Sequence, residues 1–251
     1  MKYLVLGPAA MGIFAMLGYL KTIENELGDV EEISGASAGS IIALFMAMGK
    51  TIDELIDMSL RLNISDLVKL DLKCFLHTYG FVDLEPIRNA LVELCGGDPT
   101  FTELNKKIYV SSFCVNRSET EYFSIDTHPN MKVIDAVCMS IAIPFIFSPR
   151  KYMNNTYVDG GTIESMPMAP FLDKPPHSVY CIQIKSNKKY IKDIDDPKTF
   201  AQTLIMANLN NRYKYALTHH TLKVIDVCDM DVFEFNMSYD DKIRMYMMGT
   251  S

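Results

Sequence analysis

The sequence has 251 residues, 49% hydrophobic and 22% charged, which is enough apolar material for one sizeable core and too much for a disordered chain. A formal net charge of -7 gives nucleic acid no electrostatic reason to bind. Six scattered cysteines without a CxxC pair exclude the common zinc and redox motifs and suit free thiols in a reducing, cytoplasmic compartment.

From Tyr3 to Leu20 no residue is charged, yet Gly7-Pro8 and Gly12 interrupt the run. A membrane span or signal helix would break there, so the pattern predicts strand, turn and helix instead. Leu4-Val5-Leu6 reads as a buried parallel strand, and the helix after Gly12 places Phe14, Leu17 and Leu20 on one side before stopping near Gly28. A second strand is predicted at Val30–Ser34, followed by Gly35-Ala36-Ser37-Ala38-Gly39 and an almost wholly apolar helix from Ile41 to Met48. Thr51 through Glu54 has the form of a capping box, and Asp83 with Pro86 opens a helix that runs to Gly96-Gly97. Further strands are predicted at Lys107–Val115, Glu119–Ser124, Tyr157-Val158, Val179–Ile184 and Leu222–Val227. Helices are predicted at Val133–Met139, Thr199–Leu217 and Tyr239–Met248. Strands alternating with helices imply an α/β fold, a mostly parallel sheet covered on both faces, and no linker divides residues 1–251.

Gly35–Gly39 matches the G-x-S-x-G nucleophile elbow between a strand and a buried helix, where the sharp turn requires tiny neighbours. Ser37 then sits at a positive helix N-terminus, suited to a developing oxyanion. A small-residue helix cap would give the same string without chemistry. A serine nucleophile needs a base. One candidate set is the histidines His77, His128, His177, His219 and His220, none of which lies in a Gly-flanked turn after a strand. The other is Asp159, which follows Tyr157-Val158 and precedes Gly160-Gly161, a pair that lets the backbone turn tightly. A carboxylate is an intrinsically weak base and serves only if burial lifts its pKa within reach of the serine. Gly7-x-Ala9-x-x-Gly12 approaches the dinucleotide fingerprint but lacks its second glycine, and no Lys completes a phosphate loop.

Taken in order, the Gly7–Gly12 loop, the Gly35–Gly39 elbow and Ser140-Ile141-Ala142-Ile143-Pro144 leading to Asp159-Gly160-Gly161 resemble the patatin-like phospholipase family. The resemblance covers roughly Lys2 to Ile184, with residues 185–251 packed on that part. It implies a three-layer α/β/α fold and a Ser37–Asp159 dyad without histidine. It also implies an oxyanion site from Gly7, Ala9, Ala10 and Gly12, and hydrolysis of lipid acyl esters with no cofactor and no metal. The chain departs from the family pattern at Pro8, which has no N–H to donate, at Met11 in place of arginine, and at Ser165 in place of asparagine. Two alternatives follow: a catalytically impaired lipid-binding or interaction protein, or a general carboxylesterase or thioesterase using the same Ser37.

A lipid or acyl-ester substrate, with at most peripheral membrane contact, completes the expectation. Ile141–Phe147 is the predicted acyl-binding lining, probed at Phe145, and Lys185, Lys188, Lys189 and Lys192 form a basic cluster able to meet anionic headgroups.

Overall fold

The computed structural model describes residues 1–186, 193–196, 199–200, 203–204 and 221–251. Strands β1 (Tyr3–Leu6), β2 (Glu32–Ala36), β4 (Lys107–Cys114), β9 (Val179–Lys185) and β10 (Thr221–Asp226) run parallel in the order β10-β9-β1-β2-β4. The sheet then turns antiparallel through β8 (Asn155–Asp159) and β7 (Arg150–Tyr152), and β5 (Glu119–Phe123) also pairs antiparallel with β4. The central sheet is therefore mixed. The β7–β8 hairpin escapes the sequence reading because its turn carries no glycine. Met153 (φ 44°) and Asn154 (φ 65°) supply the two positive φ values that a two-residue hairpin turn requires.

Alternation along the strands sorts the two faces. Leu4, Leu6, Ile33, Ile108, Ile182 and Ile184 join the main core, whereas Tyr3, Val5, Tyr109, Val179 and Cys181 face the opposite side. Helices α1 (Ile13–Thr22), α2 (Ala38–Ala47), α3 (Ile52–Arg61), α6 (Glu85–Cys95) and α7 (Val133–Ser140) contribute buried side chains to the main core. The final helix α8 (Tyr239–Gly249) lies against α1, where Gly18 and Gly249 let the two backbones meet. Among the described residues, the second face is covered by Met166, Met168 and Phe171. The helix expected at Thr199–Leu217 lies mostly outside the described residues.

Local signals act where expected. Thr51 and Glu54 form the reciprocal capping box of α3, and Gly96 ends α6 in the left-handed conformation. The second strand begins later than predicted, at Glu32, because Glu24–Asp29 first makes a 3-10 turn. Its last residue, Ala36, therefore feeds directly into Ser37.

A small separate sheet was not expected. Between α3 and α6 come α4 (Ile64–Leu67), α5 (Leu72–Thr78) and β3 (Gly80–Val82), which pairs with β6 (Phe145–Phe147). Gly80 has no room for a side chain, since a Cβ there would collide with the Phe147 and Ser148 backbone.

Candidate active site

Register brings the two candidate residues together. Ala36 pairs with Ser111 across β2 and β4, and Ser112 pairs with Asp159 across β4 and β8. Ser37 and Asp159 thus leave the sheet at nearly the same height, two strand spacings apart, or about 10 Å. The elbow closes that gap. Ser37 adopts φ 53° and ψ -129°, a strained conformation for a residue with a side chain. Space explains the flanking glycines: a Cβ on Gly35 would press on Ser40, and one on Gly39 would meet the Leu6 and Gly7 carbonyls. The turn is held by Ser40, whose N–H and hydroxyl both donate to the Ser37 carbonyl at 2.9 Å and 2.6 Å.

Asp159 is buried at the end of β8. Its carboxyl lies near enough to the Ser37 side chain for that hydroxyl to stabilise its charged form, and it accepts the Gly161 N–H at 2.7 Å. Burial pushes the carboxyl up to about 7, while the bonds from Ser37, Gly161 and Thr162 pull it part of the way back. A carboxylate that begins to take protons near neutrality is matched to general-base work. The glycines after it are needed for space, because a Cβ on Gly160 would strike the Ser111 carbonyl and one on Gly161 would strike the Pro8 ring.

Pro8 therefore packs on the Asp159 turn. In the loop, Gly7 donates its N–H to the Ile182 carbonyl, Met11 to Val232 and Gly12 to Ala9. Those bonds commit two of the four expected oxyanion donors, the Gly7 and Gly12 amides, to the fold. Each satisfies a buried carbonyl that would otherwise be orphaned. Among the described residues the Ala9 and Ala10 amides carry no such bond, and Ala10 is held at φ 46° on the same cavity as Ser37. Ala38, first residue of α2, lines the same cavity as Ser37 and carries a helix-start amide with no partner inside the helix, a donor the sequence reading passed over.

Ser37, Ala38, Ala10 and Met11 form one wall of a cavity of ≈ 140 Å³. The remainder of the wall is almost wholly apolar, with Phe14 and Leu17 from α1, Ile41 and Phe45 from α2, and Leu91 from α6. Met11, which stands where an arginine was expected, is buried in this wall. Its amide bond to Val232 anchors the loop without a charge. Ile141, Ile143 and Phe147 line the cavity as expected from sequence, but Phe145 does not. Phe145 sits at φ 66° with its ring outward, so a charge placed there tests the surface and leaves the cavity untouched.

A family model of patatin-like phospholipases matches residues 4–172, a span that holds the loop, the elbow and the Asp-Gly-Gly turn. The chain belongs to the patatin-like phospholipase family. It is 27% identical to the probable lipid hydrolase 463L of Invertebrate iridescent virus 6 over 183 residues, covering 66% of this chain and 62% of that protein. It is 24% identical to the cGAMP-activated phospholipase of Escherichia coli over 155 residues, covering 57% and 43%. The chain thus aligns with under two thirds of the length of these relatives. In fold it resembles VipD from Legionella pneumophila, with TM-score 0.69, 16% identity, and coverage of 99% and 65%. A second resemblance is to the type III effector ExoU of Pseudomonas aeruginosa, with TM-score 0.53, 15% identity, and coverage of 99% and 51%.

For a patatin-like chain, Ser140 is informative: it belongs to a segment that carries the resemblance, yet the sequence assigns it no role. Its Oγ accepts the Ser37 N–H at 2.9 Å, and two residues on, the Ala142 carbonyl accepts the Asp159 N–H at 2.9 Å. One short segment after α7 therefore ties down the backbones of both candidate residues. The histidines are elsewhere. His77 lies in α5, His177 in the Pro176–Ser178 turn, and His128 against Phe123 and Tyr152, while His219 and His220 lie outside the described residues. Of the basic cluster, Lys185 pairs with Asp226 at 2.9 Å, and Lys188, Lys189 and Lys192 lie outside the described residues.

Among the described residues, no helix is long and apolar enough to cross a membrane.

Proposed function

We propose that this patatin-like protein is a serine lipid acyl hydrolase in which Ser37 is the nucleophile and Asp159 its base. The observation that carries the reading is Ser37 on the wall of an apolar cavity with the buried Asp159 carboxyl, its pKa raised by burial, interacting with its side chain. Ser37 Oγ attacks the ester carbonyl as its proton passes to Asp159. The Ala38 amide, with Ala9 or Ala10, faces the oxyanion. Collapse breaks the ester bond, and the proton returns from Asp159 to the departing alcohol. Asp159 then takes a proton from water, which attacks the acyl-enzyme and frees the fatty acid and Ser37. The apolar cavity holds the acyl chain, which favours long-chain lipids over small acyl esters.

A fluorophosphonate probe followed by peptide mass spectrometry tests this directly. Label on Ser37, with turnover of a phospholipid or glyceride, is the expected result. A folded protein that takes no label is instead the catalytically impaired binding protein, and label with turnover of short esters alone marks a general esterase or thioesterase.

Chain-length preference checks the cavity. Ile41 lies one helical turn beyond Ser37 and lines the cavity, so Ile41→Trp should narrow it beside the nucleophile. Turnover of long-chain esters is expected to fall at least about tenfold relative to acetate esters. An unchanged ratio between the two would remove the cavity from the acyl path.

A further inference from the structure

The lobe made by α4, α5 and β3 has two apolar sides. Its inner side is cavity wall, through Leu62, Ile64 and Leu67. Its outer side carries Leu70, Leu72, Leu76 and Tyr79, exposed at 64%, 66%, 68% and 71%. The backbone gathers them. The Asp71 N–H donates to the Phe81 carbonyl at 2.7 Å, the Phe75 and Phe81 rings stack at 4.3 Å, and Gly80 pairs with Phe145, itself 51% exposed. Single exposed leucines are ordinary on soluble proteins, but five large apolar side chains on one lobe mark a contact surface. A groove between Leu70 and Phe145 shares Phe235 with the cavity, so apolar surface continues from the lobe toward Ser37.

We infer that this lobe docks the protein on a phospholipid bilayer, with Leu72, Leu76 and Tyr79 entering the interface. The inference rests on the acyl-hydrolase reading, which requires a route from bilayer to cavity. Local charge does not oppose that occupant. Lys69 and Lys73 flank Leu70 and Leu72, and among the described residues neither is in an ion pair. Two acids stand beside them and keep their charge: Asp71 accepts the Lys73 backbone N–H at 2.8 Å, and Asp66 accepts from the Asn63 amide at 2.9 Å. In a chain of net charge -7 the lobe is locally balanced, Lys69 and Lys73 against Asp66 and Asp71, and its exposed leucines and tyrosine are suited to the acyl boundary.

The test uses Ser37→Ala protein, so that binding is read without catalysis, and vesicles of phosphatidylcholine with and without phosphatidylglycerol. Sedimentation is expected to show binding to both kinds of vesicle. In the Leu72→Ser, Leu76→Ser, Tyr79→Ser triple variant it should weaken at least about tenfold. The same three changes in the wild-type background should leave turnover of a dissolved short-chain ester unchanged, since none of these residues lines the cavity. Vesicle binding that survives the three changes, or no binding by the parent protein, overturns the inference even if Ser37 proves catalytic. A parent that is dimeric in size-exclusion chromatography and becomes monomeric in the triple variant overturns it too, assigning the lobe to a second copy.

Discussion

Asp159→Asn is expected to lower kcat by roughly 10⁴ while leaving the protein folded, at least the loss produced when the aspartate that only orients the base of a serine triad is replaced by its amide. The substitution keeps the shape and the acceptor for the Gly161 N–H but removes the lone pair that would receive the Ser37 proton. Ser37→Ala should be at least as severe, and combining the two should cost little more than either alone, since both remove one proton-transfer unit. In wild type, kcat/KM should rise with pH through a single limb centred near 7, where the buried Asp159 carboxyl loses its proton. An Asp159→Asn enzyme that retains a tenth of wild-type turnover would sink the dyad, as would a pH limb centred near 4.

The same carboxyl should cost stability, and the sign can be worked out. Its folded pKa of about 7 lies above the ordinary value of 3.8, so between those pH values the folded state holds more protons than the unfolded one. Stability therefore falls as pH rises through that window and levels off above 7. At roughly 1.4 kcal/mol per pKa unit, the charged form costs up to about 4 kcal/mol. Asp159→Asn removes that charge, and the variant should unfold at a higher temperature than wild type at pH 8, by on the order of 10 °C. The gain should shrink steadily as pH falls toward 4, where wild-type Asp159 is protonated in both states. Thermal unfolding of the two proteins across this range gives a readout independent of any substrate.

Much of this site is legible in sequence because the constraint is steric. Only Gly and Ala fit around Ser37, and only glycine fits at 160 and 161, so the two turns announce themselves as Gly35–Gly39 and Asp159-Gly160-Gly161. Hydrogen bonds made across long stretches of chain leave no such trace. The Ser140 hydroxyl reaches an amide 103 residues away, and a serine before an apolar run resembles any other. The expected oxyanion loop shows the same limit. Sequence shows which residues own amides, but only the fold shows that Gly7 and Gly12 have already spent theirs on Ile182 and Ala9. Phe145 misleads in another way: an apolar run predicts burial, yet its positive φ and the pairing of β6 with β3 turn that ring outward. The β3–β6 sheet consists of two three-residue strands far apart in the chain, too short for periodicity to register.

Ser140 therefore makes the sharper test of how the strained elbow is kept in place. Ser37 holds a positive φ that a serine abandons readily, and its buried N–H has one acceptor, the Ser140 Oγ. Ser140→Ala leaves that amide unpaired at a cost of about 1–3 kcal/mol, which the elbow can relieve by relaxing away from Asp159. A displacement of about 1 Å at a reacting group costs roughly 10² in rate, so kcat should fall by that factor. KM for a long-chain ester should barely change, because Ser140 is absent from the cavity wall. The pH limb near 7 should also stay in place, because burial of Asp159 is unaltered. Ser140→Cys, with a weaker acceptor in the same position, should fall between the two. If Ser140→Ala lowers the unfolding temperature but reacts with a fluorophosphonate as fast as wild type, Ser140 supports the fold alone and the elbow is held by its glycines and Ser40.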